Sequence, residues 1–264
     1  MAIQPTAAPQ VTKVVIFVME KGTDKVQAAT FYVTPDGKHA IGEGTGVVPF
    51  GPKPFAPIRE LLRSNADGAY RGAANKDLEL VEFADLQCPH CKEAEATMDQ
   101  IVKDFPSARV VFQPFPLVGT HPSAFKAAAY GVCVQKQSND AFFKYADGVF
   151  DSQEALTPTT EDTVLKAAVK RAGLDSDAIA ACANTQATKD VVNGDIKLAE
   201  EAGVEQTPLL SINGRMMPLG GTITYDQIKQ IIQFQATLDG VNSGATAETL
   251  APKPVQPKLS DLPK

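Results

Sequence analysis

The sequence predicts an α/β protein: a mixed β-sheet covered by helices on both sides and interrupted by a long helical insertion, preceded by a small β-rich region. Three observations support this. From residue 78 the apolar pattern runs strand, helix, strand; residues 123–203 then read as helical throughout; and a hairpin signal near residue 213 precedes a capped amphipathic helix. A strand–helix–strand unit joined to a later hairpin and helix gives a mixed sheet with both faces covered.

Residues 1–10, rich in Pro, Ala and Gln, read as a loose terminus. "VTKVVIFVM" (11–19) and "KVQAATFYVT" (25–34) are β-like runs, "PDG" (35–37) is turn chemistry, and "KHAIGEGTGVV" (38–48) returns as the second arm of a hairpin. "PFGPKPFAP" (49–57) reads as a connector, "PIRELLRS" (57–64) as a short amphipathic helix, and residues 65–77 as a polar, Gly-containing linker. The expected organisation is a β-rich region at 1–64, that linker, a second domain at 78–239 with its insertion at about 120–203, and a Pro/Lys-rich tail at 240–264.

Within the second domain, "LELVEFA" (78–84) is a buried strand. A helix starts at the following cysteine motif, with Pro89 suited to its first position, and runs to about Asp104 before Pro106. "RVVFQPFPL" (109–117) is the next strand. Phe125, Ala128, Ala129, Val132 and Cys133 then fall on one helical face. Thr160 opens another helix, with Val164, Leu165, Ala168 and Val169 inward and Gly173 as its stop. "PLLSI", an Asn213-Gly214 turn and "RMMPL" form a hairpin. The last helix begins at Thr224 with Gln227 three residues on, a capping box, and is expected to bury Ile228, Ile231, Ile232 and Leu238.

Composition narrows the function. The chain is 44% apolar and 21% charged with a net charge of −6, and has no Lys/Arg cluster. Nucleic acid is excluded as a partner, because phosphate binding needs a concentrated basic surface. No apolar run approaches the roughly 20 residues of a membrane helix. The Val14–Met19 run is too short for a signal-peptide core, so the chain is expected to be either cytosolic or numbered without its signal. Four cysteines, Cys88, Cys91, Cys133 and Cys182, permit three pairings if all are oxidised. A reducing cytosol leaves Cys133 and Cys182 as thiols, whereas an oxidising compartment joins them.

The stretch "EFADLQCPHCKEAE" (82–95) carries the chemistry. Cys88 sits where a strand gives way to a helix N-terminus, so its sulfur faces unpaired N–H groups and the positive end of the helix dipole, which stabilise a thiolate. His90 adds a further donor or positive charge. A stabilised thiolate is a good leaving group, and a disulfide made with Cys88 is readily opened by a substrate thiolate. Cys91, one turn later, points inward as the resolving thiol. A closed zinc site needs four ligands, and beyond this pair the sequence offers two scattered cysteines and His39, His90 and His121. A staple within one turn closes too small a loop to constrain the chain. Redox chemistry is the reading that remains. An alternative from another class is a copper-handling or holdase protein, since soft thiolates select Cu(I) and Met216 and Met217 lie in the later hairpin; methionines at strand spacing are otherwise core filler.

"EFADLQCPHC" resembles the active-site strand and helix of the DsbA-like branch of the thioredoxin superfamily, and "FPLVGTHPSAFKAAAYGVC" is similar to the same family. The resemblance covers roughly 78–238 and implies a thioredoxin fold with a helical insertion, and a thiol–disulfide oxidoreductase. Thr207-Pro208 in "VEQTPLLSING" matches the family's cis-proline beside the active-site disulfide, and Glu82 matches a buried acid that shuttles the resolving cysteine's proton. Cys133 and Cys182 match a second, non-catalytic bridge. His121, before Pro122, reads as a residue at the start of a helix. The redox group is the disulfide, so no organic cofactor or metal is required. The implied partners are exported cysteine-containing proteins and a membrane redox partner, and the implied location is the periplasm or another exported compartment. More weakly, "FYVTPDGKHAIGEGTGVV" resembles the β-rich N-terminal domain of the DsbC/DsbG isomerases, which implies a homodimer assembled through residues 11–64. Oxidase and isomerase directions both stay open.

Overall fold

Two β-branched and aromatic runs separated by turn residues pair early in the chain, and a second sheet forms around the strand that leads into the cysteine motif. The computed structural model describes residues 1–6, 8–19, 26–42, 46–51, 53–221 and 223–244. The chain divides into two units, Met1–Glu60 and Leu61–Lys264.

The first unit is an antiparallel meander of five strands: β1 (Ala2–Pro5), β2 (Thr12–Met19), β3 (Val26–Val33), β4 (His39–Gly42) and β5 (Gly46–Pro49), in that spatial order. β2 and β3 pair along their full length, from Thr12 opposite Val33 to Met19 opposite Val26. The turn after β3 is built by Asp36, whose Oδ1 accepts from the Thr34 hydroxyl at 2.5 Å and the Lys38 N–H at 2.8 Å, with Gly37 at φ 67°. Two sequence expectations change here. The stretch expected as a loose terminus contains a strand: β1 covers the free edge of β2, pairing Ala2 with Val15 through Pro5 with Thr12. A long strand leaves a row of unpaired N–H and C=O groups, and a nearby segment gains by satisfying them. The returning hairpin arm is two strands, β4 and β5, rather than one; residues 43–45 between them lie outside the described residues.

α1 (Ala56–Asn65) crosses the division between the units. The second unit continues with β6 (Ala69–Gly72), β7 (Glu79–Ala84), α2 (Pro89–Asp104), β8 (Arg109–Pro114), α3 (Ala124–Gln135), α4 (Asn139–Asp151), α5 (Glu161–Arg171), α6 (Ser176–Ala183), α7 (Gln186–Glu201), β9 (Leu209–Ile212), β10 (Arg215–Pro218) and α8 (Tyr225–Asp239). Its sheet has the order β10-β9-β7-β8-β6. β7 and β8 are parallel, with α2 as the crossover between them, and the other pairs are antiparallel. All six residues of β7 and all six of β8 are buried, as central strands covered on both faces must be.

The stretch expected to be a linker, 65–77, contributes β6, which pairs with β8 from Ala69–Phe112 to Gly72–Arg109. Gly72 holds φ 81° and comes so close to the residue preceding β8 that a Cβ there would lie 2.2 Å from the Ala108 carbonyl oxygen. Arg109 stacks its guanidinium 3.6 Å over the Tyr70 ring and closes that edge. α3 is buried around most of its circumference, including Ala127, Tyr130, Cys133 and Val134, and lies inside the helical block rather than on its surface. Leu238, expected in the core, is 58% exposed. At 100° per residue it falls about 80° from Ile228 around α8, beyond the face that Ile228 and Ile232 bury. The Thr224–Gln227 capping box and the Asn213-Gly214 turn form as expected. Residues 245–264, most of the expected tail, lie outside the described residues.

Candidate active site

β7 delivers the chain to the mouth of α2. Cys88 is the N-cap, with extended backbone at φ −78° and ψ 121°, and Pro89 occupies the first helical turn, where a missing N–H costs nothing. The cap has no side-chain hydrogen bond, and the N–H groups of Cys91 and Lys92 donate to the Cys88 carbonyl oxygen at 3.1 and 3.3 Å, which closes the first turn. Both thiols are free; Cys88 is 4% exposed and Cys91 is 0% exposed.

Their environments separate them. The Cys88 thiol is pulled down to about 5, first by a hydrogen bond from Cys91, then by the Thr207 side chain and the backbone N–H groups of Cys91 and His90, with burial opposing. The Cys91 thiol is driven far up by burial, reinforced by the neighbouring Cys88 anion and by Glu82. A thiol of low pKa therefore sits beside one that holds its proton more tightly.

Thr207 and Pro208 come from the far side of the helical insertion, at the head of β9. Their peptide bond is cis, and Cys88 Sγ lies 3.8 Å from the Thr207 carbonyl oxygen. Among the described residues, the buried Thr207 hydroxyl has no partner other than the Cys88 sulfur, whose anion it favours. Cys88, Cys91, Thr207 and Pro208 are thus brought together.

His90 is placed differently. Its ring is exposed and Nδ1 lies 3.2 Å from Glu93 Oε2. That acid, with a smaller effect from the Cys88 anion, raises the imidazole pKa. The His90 group that favours the Cys88 anion is its backbone N–H.

Glu82 lies mid-strand in β7 and is 1% exposed, with Oε1 lacking a partner among the described residues. Burial pushes its carboxyl well above the usual range, the Glu95 charge adds to this, and Arg71 opposes it. Glu95, seven residues after Cys88 on the inner side of α2, is itself raised by burial and sits 3.9 Å from Arg71 Nη2. Glu95 and Arg71 were missed in the sequence. An acid at i+4 from the inward Cys91 was the available signal.

Gln87 and Gln153 brace the cysteine turn. Gln153 Nε2 donates to the carbonyl oxygens of Leu86 and Cys88, both at 3.0 Å, while Gln87 donates to Leu156 O at 2.9 Å and accepts from Ser123 N–H at 2.8 Å. Cys133 and Cys182 are joined in a disulfide between α3 and α6, with Cα atoms 6.1 Å apart.

The hairpin methionines do not suit a copper site. Met216 and Met217 are consecutive on β10, so they point to opposite faces, and Met217 is 7% exposed in the cluster with Leu210 and Ile228. Among the described residues, no three of His, Cys, Asp and Glu converge to hold a metal ion.

The family model described as Thioredoxin matches residues 64–234, more than half of the chain. The chain is 29% identical over 145 residues to the Na(+)/H(+) antiporter NhaA 3 of Salinispora tropica, covering 55% of this chain and 21% of that protein. It is 24% identical over 168 residues to the probable disulfide bond formation protein D of Bacillus anthracis, covering 61% and 75%. Among solved structures, ScsC of Proteus mirabilis in a transitional conformation superposes with a TM-score of 0.58 at 23% identity, covering 72% of this chain and 80% of that one. The last likeness is one of fold. The matched segment spans about a fifth of the length of the antiporter, and among the described residues no helix is long and apolar enough to cross a membrane.

Proposed function

This chain belongs to the Thioredoxin family, and we propose that within it the chain is a DsbA-like thiol–disulfide oxidoreductase that forms or rearranges disulfide bonds in exported proteins. The observation that carries this is the pairing of a Cys88 thiol drawn down to about 5 with a buried Cys91 whose thiol is pushed far up, with Cys88 Sγ 3.8 Å from the Thr207 carbonyl oxygen.

The chemistry follows from that asymmetry. In the oxidising direction a substrate thiolate attacks the Cys88 sulfur of the Cys88–Cys91 disulfide. The S–S bond breaks, its electron pair goes to Cys91, and Cys91 takes up a proton. A second substrate thiolate attacks the substrate sulfur of the mixed disulfide and expels Cys88 as a stabilised anion. Two electrons and one disulfide have changed hands. In the isomerising direction the reduced Cys88 thiolate attacks a substrate disulfide and is later expelled unchanged. Cys88 is the nucleophile and Cys91 the resolving thiol. Thr207 and Pro208 border the groove for the substrate chain, and Glu82 exchanges the proton of Cys91. His90 contributes through its backbone N–H, with its ring a weaker, solvent-screened charge.

Export accords with the Cys133–Cys182 bridge, which persists only where thiols are not continually reduced. A membrane redox partner that resets the pair completes the cycle. The first unit serves self-association. Among its described residues only Val14 and Ala40 are buried apolar side chains, while Ile16, Val18, Met19, Val26, Ile41 and Val47 are exposed. A sheet with so little core needs a covering surface, and a second copy paired about a two-fold axis supplies one.

Insulin reduction measured beside reactivation of scrambled ribonuclease tests the activity and its direction. Cys88→Ser must abolish both; activity that survives the change refutes the reading. Anaerobic Cu(I) titration of the reduced protein separates it from copper handling, for which tight stoichiometric binding is required.

A further inference from the structure

Asp85, three residues before Cys88, is 1% exposed and touches the surroundings of both sulfurs. Its N–H donates to Cys91 Sγ at 3.4 Å, and its carbonyl oxygen accepts from the Cys88 N–H at 3.0 Å. Its carboxylate is fully engaged: Oδ1 accepts from the Gln87 N–H at 2.7 Å, and Oδ2 accepts from the Leu117 N–H at 2.8 Å and from His121 Nδ1 at 2.7 Å. His121 comes from the segment between β8 and α3, and its side chain is 17% exposed. One carboxylate therefore ties the cysteine turn to a segment about thirty residues away in sequence.

The geometry points to Asp85 and His121 as a positioning pair that sets the redox equilibrium of Cys88 and Cys91. This rests on the reading of those two cysteines as the redox centre. A buried carboxylate is tolerated only when donors satisfy it. Two of its three donors are backbone groups; His121 is the one side chain among them, and so the one a substitution can remove. Without that donor the negative charge of Asp85 is less dispersed next to the turn where the Cys88 anion forms, and the carboxylate is free to shift the N–H and C=O groups that hold the two sulfurs. Both effects disfavour the thiolate. The reduced state owes its stability to that thiolate, so losing the donor shifts the equilibrium towards the disulfide and makes the protein a weaker oxidant. Neither residue touches substrate in this scheme; both act through the cysteines.

The test compares wild type, His121→Phe and His121→Asn, each equilibrated with reduced and oxidised glutathione at pH 7, with the disulfide fraction read by alkylation and mass spectrometry. The Phe variant keeps ring bulk without a donor, whereas the Asn amide nitrogen stands where Nδ1 stood. The Phe variant should form the reduced protein less readily, its equilibrium constant falling by about threefold or more, the scale of one modest hydrogen bond, while the Asn variant stays within about twofold of wild type. The Cys88 pKa, read from the pH dependence of alkylation, should rise in Phe and not in Asn. Equal values in all three, or equal displacement of Phe and Asn, overturn the inference, because a merely space-filling residue gives one of those results. If His121→Phe does not fold by circular dichroism, His121→Ala takes its place and the comparison with Asn decides. A wild type that forms no Cys88–Cys91 disulfide with glutathione refutes the redox reading itself, a failure distinct from wild-type behaviour of the variants.

Discussion

Cys88 and Cys91 stand one helical turn apart and titrate in opposite directions: Cys88 is drawn down to about 5 while Cys91 is driven far above its usual value. Because the Cys88 pKa is depressed on folding, the unfolded chain binds more protons between about pH 5 and the free-cysteine value of about 8.5, and the reduced protein gains stability as pH rises through that window. The raised carboxyls Glu82, Glu95 and Asp195 act in the opposite sense, but they are present in the oxidised form as well and largely cancel in a difference. The melting temperature of the reduced protein minus that of the oxidised protein should therefore rise between pH 5 and pH 8. A flat or falling difference contradicts the assignment of Cys88.

Glu82→Gln should leave stability within about 1 kcal/mol, because burial already disfavours the charged form of the native carboxyl and Gln matches its shape. Proton exchange with Cys91 is lost, and opening of the Cys88–Cys91 disulfide by a thiol peptide should slow by at least about tenfold in single-turnover measurements at pH 7. An unchanged rate removes Glu82 from the proton route.

The Cys133–Cys182 bridge spans a sequence separation of 49 residues. Chain entropy values such a loop at about 4 kcal/mol, and removing native disulfides costs about 2–5 kcal/mol. Cys133→Ala with Cys182→Ala should lower unfolding free energy by an amount in that range, with the Cys88 pKa unmoved. A shift in that pKa would show that the bridge shapes the active site as well as the helical block.

Light scattering of the full chain and of a chain starting at Ala56, which keeps α1 whole, tests the role proposed for the first unit. The full chain should be dimeric and the shortened one monomeric with unchanged insulin reduction. A monomeric full chain removes the self-association proposed for the first unit and leaves the oxidase direction favoured.

The parts of this protein legible in sequence are those whose signal is local. Cys88-Pro89-His90-Cys91 after an apolar strand, Asn213-Gly214 between two short runs, and Thr224 three residues before Gln227 each carry their structural reason within a few residues. β6 was hidden because four residues, Ala69–Gly72, have no period to detect, and their pairing partner lies about forty residues away. β1 is an edge strand whose register depends on β2 rather than on its own pattern. At the site, Glu82 was found through resemblance, whereas Glu95, Arg71 and the bond from His121 to Asp85 exist only through tertiary approach. His121 does stand just ahead of a helix, as its place before Pro122 suggested, but its ring is turned towards the cysteine turn.

The most direct test of the central claim is a pH titration of thiolate absorbance at 240 nm in the reduced protein, with Cys88→Ser as the reference. The account predicts a midpoint near 5 that disappears in the Cys88→Ser protein, with no second thiolate appearing below pH 9 because Cys91 keeps its proton. A wild-type midpoint at or above about 8, the range of an ordinary free cysteine, or a low midpoint that survives Cys88→Ser, would contradict it.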